Sequence, residues 1–183
     1  MSSWRIIRVN YLSPQAEKDE VCKFWDGIYL EMTNSRLEKP WNGERYGFAA
    51  AFDGNRCIGV SSYTISRRGL GILSQVHTEP EFRGRGICKS TVNAVLEIFR
   101  SCETRAVYLA AWSDWIRAIY RKVGFELAGT MGERHAFKLT LQKSGEDEYL
   151  FRSGQKTEFR PMGKGDQGDL TALFDSPHPV VVK

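Results

Sequence analysis

The chain has 183 residues, 42% of them hydrophobic and 26% charged, with a formal net charge of +4. That length holds one domain with a real core, and that composition excludes a chain that is disordered throughout. The modest positive excess suits a polyphosphate ligand; it lacks the dense Lys/Arg stripe of a nucleic-acid binder, and no apolar run is long enough to span a membrane.

Residues 4–9 read as a first strand, with Ile6, Ile7 and Val9 as its apolar bulk. Ser13-Pro14 predicts a helix start, Ser as N-cap and Pro in the first turn. The helix then carries Val21, Phe24, Trp25, Ile28 and Leu30 at near-helical spacing. Pro, Asn and Gly make residues 38–44 a loop. Residues 46–52 and 57–66 are β-rich runs, joined by the hairpin signal Asp53-Gly54-Asn55-Arg56. Arg67-Arg68-Gly69 turns the chain into a strand over 71–77. Residues 87–100 predict a helix with Val92, Val95, Leu96 and Phe99 on one face. After a short apolar strand over 106–111, Ser113 or Asp114 can cap a helix over 115–122, which Gly124 ends. Residues 125–128 and 135–141 read as a closing strand pair. This order predicts an α/β chain with a mixed sheet.

Past Gln142 the texture becomes polar, which predicts a linker at 143–148, then a strand over 157–162 and a short helix over 169–174. The terminal Val180-Val181-Val182 reads as a dimer arm or the opening of a further domain. The expected division is a principal domain over 1–142 and an extension over 143–183. Cys22, Cys57, Cys88 and Cys102 are scattered without a CxxC pair, and His77, His135 and His178 lie far apart. Neither a zinc site nor a disulfide framework is expected. With no apolar leader after Met1, the expectation is a reduced, cytoplasmic protein.

The segment of greatest chemical content is Thr78-Glu79-Pro80-Glu81-Phe82-Arg83-Gly84-Arg85-Gly86-Ile87-Cys88, between a predicted strand and a predicted helix. Two glycines allow a tight bend that turns backbone N–H groups toward one point. The helix start adds its own unpaired N–H groups and the positive end of its dipole, and Arg83 and Arg85 add full charges. This is an anion cradle suited to a phosphate or pyrophosphate. Read alone, a Gly-rich turn of this kind is as often a plain surface loop.

A second stretch, Ala118-Ile119-Tyr120-Arg121-Lys122-Val123-Gly124-Phe125, makes the reading specific. Arg83-Gly84-Arg85-Gly86-Ile87-Cys88 is similar to the Arg/Gln-x-x-Gly-x-Gly/Ala signature of the GNAT family of acyl-CoA-dependent acyltransferases, and the later stretch resembles that family's helix-borne Tyr followed by Gly-Phe. The resemblance covers roughly residues 4–142. Cys88 departs from the family's Gly or Ala, and Ser113 stands where many relatives carry Asn.

The resemblance implies a mostly antiparallel mixed sheet flanked by helices, splayed between its fourth and fifth strands. It implies acetyl-CoA as cofactor, its pyrophosphate on the N–H groups of Arg83, Gly84, Arg85, Gly86, Ile87 and Cys88, with charge from Arg85 and Lys89. It further implies a pantetheine arm paired with Gln75, Val76 and His77, a Val76 N–H on the thioester carbonyl, and a hydrogen bond from Ser113. Tyr120 becomes the catalytic acid for the departing thiolate, acting on acetyl transfer to a primary amine of a small molecule or peptide. Without the cradle, Tyr120 reads as a core aromatic beside Phe125. His77 reads equally as a base or as a structural histidine; Glu79, Glu81 and Asp114 are weaker candidates, and no base is assigned. A helix N-terminus beside Arg can lower the thiol pKa of Cys88, but a passive small residue is the stronger expectation. Tyr29, Trp41, Tyr63, Trp112 and Trp115 are candidates for the acceptor wall, each also readable as core. The alternative function is a non-catalytic acyl-CoA-binding module; a nucleic-acid binder is the weakest reading.

Overall fold

The β-rich runs collapse into one seven-stranded sheet: β1 (Arg5–Asn10), β2 (Arg45–Asp53), β3 (Arg56–Ile65), β4 (Leu70–Thr78), β5 (Ala106–Ala111), β6 (Glu126–Met131) and β7 (Arg134–Thr140). The strands lie in the order β1-β2-β3-β4-β5-β7-β6, antiparallel throughout except for the parallel pair β4–β5. Four helices flank it: α1 (Gln15–Cys22), α2 (Gly27–Glu38), α3 (Ile87–Ser101) and α4 (Asp114–Lys122). This is a computed structural model, and it describes residues 4–41, 43–131, 134–142, 161–163, 166 and 169–170.

Alternation along the strands feeds two cores. On one face, Val92, Val95, Leu96 and Phe99 of α3 pack with Tyr63, Leu73, Val107 and Phe137. On the other, Val9, Phe48, Phe52 and Val60 pack with Val21 of α1 and Leu37 of α2. Burial of each such side chain contributes about 1.5–3 kcal/mol, so the helices are held by their apolar faces rather than by propensity. The approach of α3 is close: a Cβ on Gly71 would come within 2.7 Å of the Phe99 ring.

Three local expectations change. The helix foreseen through Leu30 is two helices, broken between Cys22 and Gly27. Gly27 sits at φ +49°, and the break turns Phe24 and Trp25 inward onto His77, at ring-centroid distances of 4.8 and 6.4 Å. Ser13 does not cap α1; Pro14 holds that position, and Ser13 Oγ instead accepts from the Asn10 N–H at 3.1 Å. Pro161 and Met162, placed by the sequence in a strand, have no regular structure, whereas Asp169 and Leu170 are helical as expected. The linker at 143–148 and the rest of the extension lie outside the described residues.

What positions the site is a wedge in the sheet. β4 and β5 are in register only at Leu70↔Ala106, Gly71↔Val107 and Ile72↔Tyr108, although β4 continues to Thr78 and β5 to Ala111. The β3–β4 register also slips between Val60 and Ser62, leaving Gln75 and Val76 without partners in the ladder. Gln75 takes a left-handed φ of +47°, unusual for a side chain of its size. Its amide is fixed at both ends, accepting from Tyr46 Oη at 2.7 Å and donating to Thr33 Oγ1 at 2.9 Å. Those bonds hold the bulge that bends β4 away from β5. The splayed, mixed sheet implied by the resemblance is therefore present.

Candidate active site

The cradle follows β4 through a tight turn at Pro80–Phe82 and enters α3. Gly84 and Gly86 have φ of +76° and +83°, and a Cβ on either would meet nothing within 4 Å. Glycine is required there by backbone conformation, and the space above it is open. The Arg83 N–H, expected to face the anion, instead donates to Pro80 O at 3.3 Å because the tight turn closes on it; the next N–H to find a backbone acceptor is that of Ser90, which donates to Gly86 O at 3.0 Å. Among the described residues, the amides of residues 84–89 have no acceptor. Six adjacent amides at a helix N-terminus form a site for a multiply charged anion. The arginines brace the loop: Arg83 Nε donates to Thr78 O at 3.2 Å, and Arg85 Nη2 donates to Glu81 O at 3.0 Å while its guanidinium stacks on Phe82.

Two cavities open in the wedge. One, of about 440 Å³, is walled by the cradle, by Val76 and His77 of β4, and by Trp115, Ile116 and Tyr120 of α4. The other, of about 470 Å³, lies between α2, Ile72, Leu73, Ser74, Gln75 and Val76 of β4, and Leu109, Ala110 and Ala111 of β5. Val76, Ile116 and Tyr120 line both.

Tyr120 thus stands at the junction. It is 7% exposed and packs edge-on against Phe125 at 5.8 Å. The ring belongs to the α3-side core, as the core reading expects, while its hydroxyl has no hydrogen-bond partner among the described residues. Burial, and then the neighbouring Cys88, push its pKa well above the ordinary phenol value, so it stays protonated. Burial also raises the Cys88 thiol, against the lowering a helix start would give, and Cys88 lines the cavity wall.

Of the residues singled out in the sequence, Val76, His77, Arg83, Gly84, Gly86, Ile87, Cys88 and Tyr120 share the first cavity. The Gln75 side chain faces the second. Arg85 and Lys89 are exposed beside the cradle and line neither cavity. Ser113 stands at the N-cap of α4 without a side-chain capping bond and also lines neither. His77 packs against Phe24, and its pKa is lowered first by burial, against the pull of Glu79. Glu79 and Glu81 pair with Arg56, and Asp114 pairs with Arg117. Among the described residues no carboxylate lines either cavity.

The aromatic candidates divide. Tyr29 and Trp112 line the second cavity and Trp115 the first. Trp41 lines neither but stacks on Arg36, which does line the second. Tyr63 is fully buried, its hydroxyl accepting from Arg8 Nε at 2.7 Å, and belongs to the core. Sequence reasoning missed Arg36, Tyr46 and Thr33; a lone Arg in a helix without a marked apolar face carries no signal of burial. Among the described residues no cluster of metal-ligating side chains occurs, and no helix is long and apolar enough to cross a membrane.

Comparison with known proteins agrees with this geometry. The model of the acetyltransferase (GNAT) family matches residues 13–125. An acetyltransferase of the GNAT family from Staphylococcus aureus is 15% identical, covering 76% of this chain and 100% of that one, with a TM-score of 0.58. The PaiA N-acetyltransferase from Thermoplasma acidophilum, solved in complex with coenzyme A, is 16% identical over 75% of this chain and 99% of its own, with a TM-score of 0.57. An acyl-CoA N-acyltransferase from Pseudomonas aeruginosa is 14% identical over 75% and 100%, at 0.59. At these identities the likenesses establish the fold. No curated protein matches the sequence.

Proposed function

The chain belongs to the acetyltransferase (GNAT) family, and from that premise we propose that it transfers an acetyl group from acetyl-CoA to a primary amine of a small molecule or peptide. The observation that carries this reading is Tyr120 on the wall common to a phosphate-cradle cavity and a second cavity of substrate size.

The residues fit coenzyme A. The unpartnered amides of residues 84–89 would hold its diphosphate, with exposed Arg85 and Lys89 beside it. The unladdered backbone of Gln75 and Val76 would take the peptide-like pantetheine arm, as an added strand does. The bound PaiA relative, a coenzyme A complex on the same fold, is consistent with this. When bound, the cofactor supplies the acetyl group as a thioester: the amine nitrogen bonds to the acyl carbon and the carbon–sulfur bond breaks.

The chain's own groups then act at three atoms. The Val76 N–H, free of the β3 ladder, would donate to the carbonyl oxygen as negative charge builds there. Tyr120 Oη holds a proton for the departing sulfur and regains one from the proton the amine sheds to solvent. The burial that makes Tyr120 a weaker acid would equally make a thiolate beside it a stronger base, so the transfer keeps its driving force. With no carboxylate in the walls, an amine that reaches the cavity already neutral is favoured. We propose in addition a cytoplasmic location and dimer formation through the extension at 143–183.

The test is a mass-detected panel of amines with acetyl-CoA, scored for acetylated product and free coenzyme A together. Both are expected with at least one amine. Thermal stabilisation by the cofactor without coenzyme A release across the panel would instead establish a non-catalytic binding module.

A further inference from the structure

The second cavity contains one feature that the transfer chemistry does not use. Arg36 of α2 is 7% exposed, yet it lines that cavity. Its Nε and Nη2 donate to the two carboxylate oxygens of Glu44 at 2.7 and 2.9 Å, and Nη2 donates again to Thr64 Oγ1 at 2.9 Å. The guanidinium lies over the Tyr46 ring at 4.0 Å and the Trp41 ring at 5.0 Å. Nη1 has no hydrogen-bond partner among the described residues, and it is not among the side-chain atoms sealed from solvent without a partner. A buried arginine fixed by a bidentate carboxylate and two rings therefore presents a single unused N–H edge to the cavity.

Taking the acetyltransferase reading as its basis, we infer that Arg36 selects the acceptor, its Nη1 donating to a carbonyl or carboxylate oxygen at the end of the molecule away from the reacting amine. The charge balance points the same way. Glu44 is fully buried behind Arg36 and does not line the cavity, and among the described residues the walls hold no other ionisable group except tyrosines. Trp25, Tyr29, Trp112 and Ile116 supply apolar wall, and the polar Thr33, Thr64, Ser74 and Gln75 are already engaged with protein partners. A polycation would leave its water shell for a site with no anion and with an arginine in the wall, which is unfavourable. An amine on an apolar body, ending in an oxygen acceptor, matches the apolar rings and the free Arg36 edge.

Steady-state rates with benzylamine, 4-(aminomethyl)benzamide, 4-(aminomethyl)benzoate and spermidine read this out without any variant. Expected is a kcat/KM for the benzamide or benzoate at least about tenfold above benzylamine, carried by KM, with spermidine poorest. Preference for the benzoate alone shows that charge counts; a shared preference shows that the hydrogen bond suffices. Arg36→Lys keeps a cation for Glu44 but loses the fork. It is expected to cost thermal stability, because the buried bidentate pair with Glu44 is broken, and to lower kcat/KM for the benzamide and benzoate toward that for benzylamine, abolishing the preference, with coenzyme A affinity as the check that the variant is folded. Equal rates across the three aromatic amines, or a preference that survives Arg36→Lys, overturns the inference alone. Coenzyme A binding without turnover of any amine overturns the acetyltransferase reading and this inference with it.

Discussion

Tyr120→Phe is expected to lower kcat by at least tenfold, and by ~10²-fold if proton donation is fully lost, with coenzyme A affinity almost unchanged. A loss of 10² corresponds to about 2.7 kcal/mol of transition-state stabilisation. The structure makes this substitution unusually clean. The Tyr120 hydroxyl has no hydrogen-bond partner among the described residues, so its removal strands no buried group. The ring that packs on Phe125 stays in place, so folding stability should hold. Because burial raises the Tyr120 pKa, the phenol stays protonated at and above the usual tyrosine value; its ionisation should produce no fall in wild-type kcat up to pH ~10. Single-turnover rates, calorimetric coenzyme A binding and thermal denaturation on the same preparations separate these effects. Unchanged turnover in the variant removes Tyr120 from the chemistry.

Gly86→Val is expected to weaken coenzyme A binding by at least ~100-fold, because it sets a branched side chain in the space where the diphosphate would lie against the amides. Two effects must be separated. At φ +83° a valine strains the backbone, at a cost of about 1–3 kcal/mol. The second effect is steric exclusion of ligand, which the free protein does not feel, since a Cβ there meets nothing within 4 Å. Gly54→Val supplies the control: φ there is +58°, its Cβ space is equally open, and it lies in the β2–β3 hairpin away from both cavities. Gly54→Val should lose stability and keep cofactor binding, whereas Gly86→Val should lose both. Calorimetry and thermal denaturation of the two variants give the comparison, and retained cofactor binding in Gly86→Val would dismiss the cradle.

The strands and α3 were legible because their signals are local. β-rich apolar runs mark β2 and β3, Asp53-Gly54 marks their turn, and the apolar stripe of α3 repeats at helical spacing. The cradle was legible for the same reason: two glycines, two arginines and a helix start are contiguous in sequence. The break between α1 and α2 was not, because Phe24 and Trp25 fit a continuing helical stripe until His77, over fifty residues away, draws them inward. The second cavity was hidden most completely. Its walls come from α2, β2, β4 and β5, and its polar groups act through long-range contacts: Arg36 with Glu44 and Thr64, and Tyr46 with Gln75. No one of those residues is unusual in its own neighbourhood of the sequence. Gln75 shows the limit well. It was read as a backbone partner for the cofactor arm, and its bulge leaves that role open, while its side chain instead clamps the bend from the other cavity.

A crystal structure with coenzyme A bound tests the central claim most directly. The account predicts diphosphate oxygens within hydrogen-bond distance of the amides of residues 84–89 and the cofactor sulfur within ~3.5 Å of Tyr120 Oη. A diphosphate seated elsewhere, or a sulfur remote from that hydroxyl, would contradict it.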